Sequence, residues 1–159
     1  LSGYGLPFSL VLIKPEYDQW KPGEHNGTFR GNNHAFITAT AALDFYWQDS
    51  SFCESVRRKS RVLEQQLKKI QQKYPNLIQS IKGRGIMQGL SFKDPEITSL
   101  VAKEAFANNL IIETCGSDSE VLKCLCPLTI PENVLKQGLE IIDLSIANVI
   151  SEDMGQVAS

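Results

Sequence analysis

The apolar residues of this chain change period several times, and each change marks an element. Phe8-Ser-Leu-Val-Leu-Ile13 is a short apolar run behind Gly5-Leu-Pro7, the pattern of a buried strand. Residues 14–32 carry Pro15, Pro22, Gly23, Gly27 and Gly31 and show no helical period, which predicts a long irregular segment. Segments of that length inside compact domains are usually functional or disordered, and Tyr17, Trp20 and His25 argue against disorder. From about Asn33 the period becomes helical. Phe36, Thr40, Leu43 and Trp47 predict one apolar face, and Ala35, Ala39, Ala41 and Ala42 favour helix and close packing. A second helix is expected from Ser51, where Ser51-x-x-Glu54 fits a capping box, to the break at Pro75. Its expected buried stripe is Phe52, Val56, Leu63, Leu67, Ile70 and Tyr74. Arg57, Arg58, Lys59, Arg61, Lys68, Lys69 and Lys73 fall largely between those positions and read as a solvated face.

The remainder predicts a β-β-α-β-β-α unit. Two strands, near 78–82 and 86–92, flank Gly83-Arg84-Gly85. Asp94-Pro95 has the form of an N-cap followed by a first-turn proline and opens a helix to about Asn108. Strands are expected at 110–114 and 121–125 around the turn Gly116-Ser-Asp-Ser119. Thr129-x-x-Glu132, with Pro131 between, caps a last helix with the stripe Leu135, Leu139, Ile142, Ile146 and Val149. A polar tail is expected from Ser151 to Ser159. Mixed elements in this order imply α/β or α+β layers.

Composition narrows the class. The 159 residues are enough for one domain with a sizeable core, and 42% hydrophobic with 21% charged residues excludes a disordered chain. Sixteen Lys and Arg against 18 Asp and Glu leave a net charge of −2, so a nucleic-acid binder is not expected. No apolar run approaches membrane-spanning length, so no membrane association is expected either. Cys53, Cys115, Cys124 and Cys126 read as buried, inert thiols of a reducing, cytoplasmic compartment. Cys124 and Cys126 are two apart, but His25 and His34 are distant in sequence, so no metal site is expected. The chain opens at Leu1 with no signal-peptide pattern, so either an upstream stretch has been removed or a piece of a longer protein is expected.

Two glycine-containing segments are candidates for chemistry. Gly83-x-Gly85-x-x-x-Gly89 has the wrong spacing for a dinucleotide fingerprint, and a strand pattern follows it where a helix is required. It reads as a tight turn, with Gly89 at a bulge or close contact. Gly27-Thr28-Phe29-Arg30-Gly31-Asn32-Asn33 joins the irregular segment to a helix. A hydroxyl, exposed backbone N–H groups, Arg30 and a helix N-terminus together suit an anion such as phosphate. The same residues also suit a plain loop leading into a helix, with Asn32 or Asn33 as N-cap. No spacing singles out a nucleophile with its base or a pair of working carboxylates.

Around Gly27-Thr28-Phe29-Arg30-Gly31-Asn32 the chain resembles the class III, ornithine/4-aminobutyrate-type aminotransferases. Three further segments carry the likeness. Leu1-Ser-Gly-Tyr-Gly-Leu-Pro7 resembles the stretch after the family's cofactor lysine. Lys82-Gly-Arg-Gly-Ile-Met-Gln-Gly-Leu90 resembles its small-domain glycine hairpin, and Cys126-Pro-Leu-Thr-Ile-Pro-Glu132 its run before the last helix. Residues 20–33 are most similar to family members that act on L-2,4-diaminobutyrate at the start of ectoine synthesis. The resemblance implies a pyridoxal-phosphate-dependent, fold-type-I α/β enzyme, represented here by its C-terminal portion. Residues 1–47 would end the large cofactor domain, and residues 48–159 would form the complete small α+β domain.

By the same resemblance Gly27 and Thr28 would bind the cofactor phosphate across a homodimer interface. Lys123 stands where many relatives have an arginine for a substrate carboxylate, and Cys126 replaces the first proline of their run. Lys123 would therefore act as a point charge without the bidentate fork of arginine. The cofactor lysine and the aspartate that pairs with the pyridine nitrogen would lie upstream of Leu1. Neither Lys14 nor Lys21 matches the lysine motif, so no catalytic residue is expected in this chain. The implied substrates are an amino acid and a 2-oxo acid. The alternatives are a class III enzyme for ornithine, acetylornithine or 4-aminobutyrate, and a non-catalytic dimerisation module.

Overall fold

A computed structural model describes residues 5–157, with side chains described to Ser151. The chain divides into two compact units, residues 1–53 and 54–159. Residues 1–4, part of the stretch that resembles the lysine-adjacent segment, lie outside the described residues.

The second unit is built around a four-stranded antiparallel sheet. Its strands are β1 (Ile78–Arg84), β2 (Met87–Phe92), β3 (Glu113–Cys115) and β4 (Val121–Leu125), in the order β1-β2-β4-β3. Strand β2 is paired on both sides, which is why it is buried from Gln88 to Phe92. Three helices complete the unit: α2 (Ser51–Lys73), whose first turn belongs to the first unit, α3 (Pro95–Ala107) and α4 (Glu132–Val157). Leu63, Leu67 and Ile70 of α2 share one core with Leu90, Phe92, Val101, Leu122 and the α4 stripe Leu135, Leu139, Ile142, Ile146 and Val149. The α4 stripe read from the sequence is the one that buries, and of the α2 stripe Leu63, Leu67 and Ile70 bury while Phe52, Val56 and Tyr74 are half-buried. Asp94 caps α3 by accepting from the Glu96 N–H at 2.8 Å. Asn148 of α4 donates to the Glu104 carboxylate of α3 at 2.7 Å.

Two glycines make the sheet possible. Gly83 has φ +95°, and a Cβ there would lie 2.2 Å from the Met87 carbonyl oxygen, so this position at the end of β1 admits no side chain. Gly89 brings β2 close to β4, where a Cβ would lie 2.6 Å from the Leu122 carbonyl oxygen. The glycine segment is therefore a hairpin turn and a close contact, as its spacing indicates.

Several expectations are corrected. Residues 8–13 form no strand, and Leu10 to Ile13 are exposed, Leu12 at 89%. A strand needs a ladder partner, and no strand exists among the described residues of the first unit. Helix α1 (Asn33–Tyr46) buries Ala35 and Ala39, with Thr38, Ala42 and Tyr46 half-buried. Phe36, Thr40, Leu43 and Trp47 are exposed instead, because the small-residue face is the one that packs closely. The Phe36 ring meets only part of its expected cover, edge-on to Phe8 at 5.7 Å. Ser51 is the first residue of α2 and not its cap, and its N–H donates to the Asp49 carboxylate at 2.8 Å. Helix α4 starts at Glu132 and runs through the expected polar tail to Val157. Lys59 is not solvated but buried, 5% exposed. The four cysteines are half-buried free thiols.

Candidate functional site

The segment before α1 folds as a succession of turns. The Lys21 N–H donates to the Glu24 carboxylate at 2.8 Å, and Gly23 takes φ +86° to close that turn. The Trp20 and His25 rings lie 5.0 Å apart. The Arg30 N–H donates to the Gly27 carbonyl at 3.0 Å, so Thr28 and Phe29 form the tip of the next turn. The Arg30 guanidinium donates to the His25 carbonyl and ties the two turns together. Gly31, at φ +78°, redirects the chain into the helix. Asn32 is the N-cap, its side-chain oxygen accepting from the His34 and Ala35 N–H groups at 3.1 and 3.3 Å.

Gly27 and Thr28 are exposed, and nothing lies within 4 Å of where a Gly27 Cβ would sit. The segment thus presents a hydroxyl, a bare stretch of backbone and a nearby guanidinium, with a capped helix behind them. That donor set fits a phosphate group.

Lys123 lies in the second unit, on β4. Its Cα partners are Gly89 on β2 and Glu113 on β3. The Lys123 ammonium is 3.1 Å from a Glu113 carboxylate oxygen. Its side chain is only 25% exposed, that of Glu113 72%. The pair stands beside a cleft of about 410 Å³ whose other walls are mainly apolar, among them Leu110, Ile112, Leu125, Ile130 and Val134.

Cys124 and Cys126 also line this cleft. Burial pushes the Cys124 thiol up to about 12, with a smaller contribution from Cys126. Burial likewise raises Cys126, against the opposing effects of its own backbone N–H and the Lys59 charge. Both stay neutral thiols at neutral pH, which makes them poor nucleophiles and poor metal ligands. Among the described residues no three His, Cys, Asp or Glu side chains are placed to share a metal ion. Nor is any described helix long and apolar enough to cross a membrane.

The proposed phosphate residues and the proposed carboxylate residue thus belong to different units, each held by its own local structure. Two participants were missed in the sequence. Lys59 donates to the carbonyls of Leu128 and Ile130, the latter at 3.2 Å, and so fixes the segment before α4. The signal was a gap in the α2 stripe, since Lys59 stands four residues before Leu63. Glu113 had no local signal, because only strand register brings it to Lys123.

An antiparallel sheet backed by long helices in one unit, and in the other a turn whose exposed donors suit an anion, narrow the class of protein. The class III aminotransferase family model matches residues 1–146, and the chain belongs to that family. Over 143 residues it is 54% identical to the diaminobutyrate–2-oxoglutarate transaminase of Vibrio cholerae, covering 90% of this chain and 35% of that protein. It is 49% identical over 153 residues to the transaminase of the same name from Halomonas elongata, covering 95% and 36%. The chain therefore spans about a third of the length of these curated relatives.

Solved structures agree on the fold. The acetylornithine aminotransferase of Elizabethkingia anophelis superposes with a TM-score of 0.68 at 26% identity, over 81% of this chain and 32% of that one. The ornithine aminotransferase of Plasmodium yoelii gives 0.70 at 23% identity, over 82% and 34%.

Proposed function

We propose that this chain is the C-terminal part of an aminotransferase that moves the 4-amino group between L-2,4-diaminobutyrate and 2-oxoglutarate or glutamate, the first step of ectoine synthesis. The observation that carries this reading is the 54% identity to a transaminase of that name over 90% of the chain. On this reading residues 1–47 end the large domain and residues 48–159 form the small one. The enzyme works in the cytoplasm as a homodimer.

Gly27 and Thr28 bind the phosphate of pyridoxal phosphate, across the dimer interface. The exposed hydroxyl and the open backbone at Gly27 support that role. When bound, the cofactor supplies the electron sink that stabilises a carbanion next to the reacting nitrogen. Lys123 holds a substrate carboxylate through a single point charge, and the apolar wall beside it shields that contact from water. No lysine of this chain takes the role of the cofactor lysine, so these 159 residues alone are inactive.

Amino donors assayed with the full-length enzyme and 2-oxoglutarate test the substrate. L-2,4-diaminobutyrate is expected to give the highest kcat/KM, and faster turnover of ornithine with none of diaminobutyrate overturns the proposal. Incubating the 159-residue chain with pyridoxal phosphate and borohydride tests the second point. No site-specific stoichiometric adduct is expected, and one that formed on Lys14 or Lys21 would refute it.

A further inference from the structure

We propose that Glu113 and Lys123 together read the head group of an α-amino acid whose distal amine reacts, with Lys123 taking the α-carboxylate and Glu113 the α-ammonium. The inference rests on the reading of Lys123 as the carboxylate residue and adds a second charge of opposite sign.

Three observations carry it. The two side chains come from directly paired positions on β3 and β4, so their spacing is set by the sheet and not by a loop. Their charged ends are 3.1 Å apart. They stand beside an otherwise largely apolar cleft, where Leu125, Ile130 and Val134 offer a surface for methylene groups.

A zwitterionic α-amino acid carries its carboxylate and ammonium on one carbon. Laid against this pair it exchanges one ion pair for two, each charge meeting its opposite. The Glu113 end of the pair is 72% exposed and can be solvated as the pair opens, while Lys123 stays paired with the incoming carboxylate, so the exchange loses little.

The arrangement sorts the substrates of the family by their head groups. L-2,4-diaminobutyrate and ornithine present both charges. 4-Aminobutyrate has a carboxylate and no α-ammonium, and N-acetylornithine has a neutral amide in that place. For the latter two, Glu113 finds no ammonium, so they lack the second ion pair that favours the diamino acids. The acceptor 2-oxoglutarate also lacks an ammonium. The Glu113 side chain, 72% exposed, has room to turn into water when that acid binds.

The test uses the full-length enzyme with its cofactor and three variants, Glu113→Gln, Glu113→Asp and Lys123→Gln. Two constants are measured for each: KM for L-2,4-diaminobutyrate, and KM or the competitive inhibition constant for 4-aminobutyrate. Glu113→Gln is expected to raise KM for the diamino acid about tenfold. It should leave kcat within about threefold and leave the 4-aminobutyrate constant unchanged or lower. Glu113→Asp keeps the charge and is expected to recover most of the diamino-acid affinity. A merely structural role would move both constants together.

Lys123→Gln is expected to weaken both ligands. If it changes neither, Lys123 is not the carboxylate residue and the present inference falls with it. If it weakens both while Glu113→Gln leaves their ratio unchanged, Lys123 stands and the role of Glu113 is overturned. Glu113→Thr suits an exposed strand position and has the same two outcomes should the glutamine variant fold poorly. An enzyme that prefers ornithine refutes the proposed substrate, yet the head-group test then runs unchanged with ornithine.

Discussion

Leu10-Val-Leu-Ile13 and Met87-Gln-Gly-Leu-Ser-Phe92 meet opposite fates in one chain. The first is the more hydrophobic, and it is exposed. The second contains a glycine, a glutamine and a serine, and it is buried from Gln88 onward. The difference is the company each keeps. β2 has β1 on one side and β4 on the other, so its backbone groups are paired and its side chains face a core. Residues 10–13 have no ladder, and an apolar side chain by itself cannot satisfy backbone N–H and C=O groups. Hydrophobicity chooses which segments can be buried, and pairing decides which of them are.

The deepest test of this contrast is Phe92, which is fully buried in the centre of the core. Phe92→Ala is expected to cost about 3–5 kcal/mol in urea unfolding. A loss below about 1 kcal/mol would mean that β2 is no more anchored than the exposed run. The next largest effect falls at the end of β1, beside the β1–β2 turn. Gly83→Ala combines a left-handed φ with a Cβ placed against the Met87 carbonyl and is expected to cost about 3 kcal/mol. Gly85 also has positive φ, at +66°, but nothing lies within 4 Å of its Cβ position. Gly85→Ala should therefore cost only about 1–2 kcal/mol, and equal losses would show that steric contact is not the cause.

Burial in the second unit also has a pH signature. The Cys124 thiol ionises near 9.0 ordinarily and at about 12 in the folded chain. Below pH 9 it is neutral in both states and contributes no pH dependence. Between pH 9 and 12 only the unfolded chain ionises, so stability falls as pH rises through that window. Cys124→Ala is expected to flatten that part of the pH–stability curve, and an unchanged slope would place the thiol in contact with water. The smallest effect belongs to the first unit. Leu12→Ser in this 159-residue chain should change unfolding stability by less than about 0.5 kcal/mol, because Leu12 loses no buried contact. It should also lower self-association by light scattering, since it breaks an exposed apolar patch. A loss above 1 kcal/mol would show that the run is packed after all.

Much of the second unit was legible in the sequence. The stripe Leu135 to Val149, the span 121–125 and the Asp94 cap agree with the structure because each is a local signal repeated at a regular spacing. The α1 face was misread for a physical reason. Large apolar residues advertise a face, yet two alanines allow a closer approach and Ala35 and Ala39 took the buried side. Lys59 was misread because a basic residue on a helix is usually solvated, whereas here two carbonyls of a distant segment receive its ammonium. At the phosphate segment the local chemistry left two possible caps, and the structure selects Asn32.

By itself the sequence determined the order of elements from α1 onward, the glycine hairpin at 83–89 and the family, since these depend on residues near one another or on long runs of identity. Only the tertiary structure decided which apolar run becomes a strand, that Lys59 is buried, and that Glu113 stands against Lys123. Each of those is set by strand pairing or by contacts across tens of residues, and apart from the gap in the α2 stripe at Lys59 no periodicity in a linear pattern encodes them.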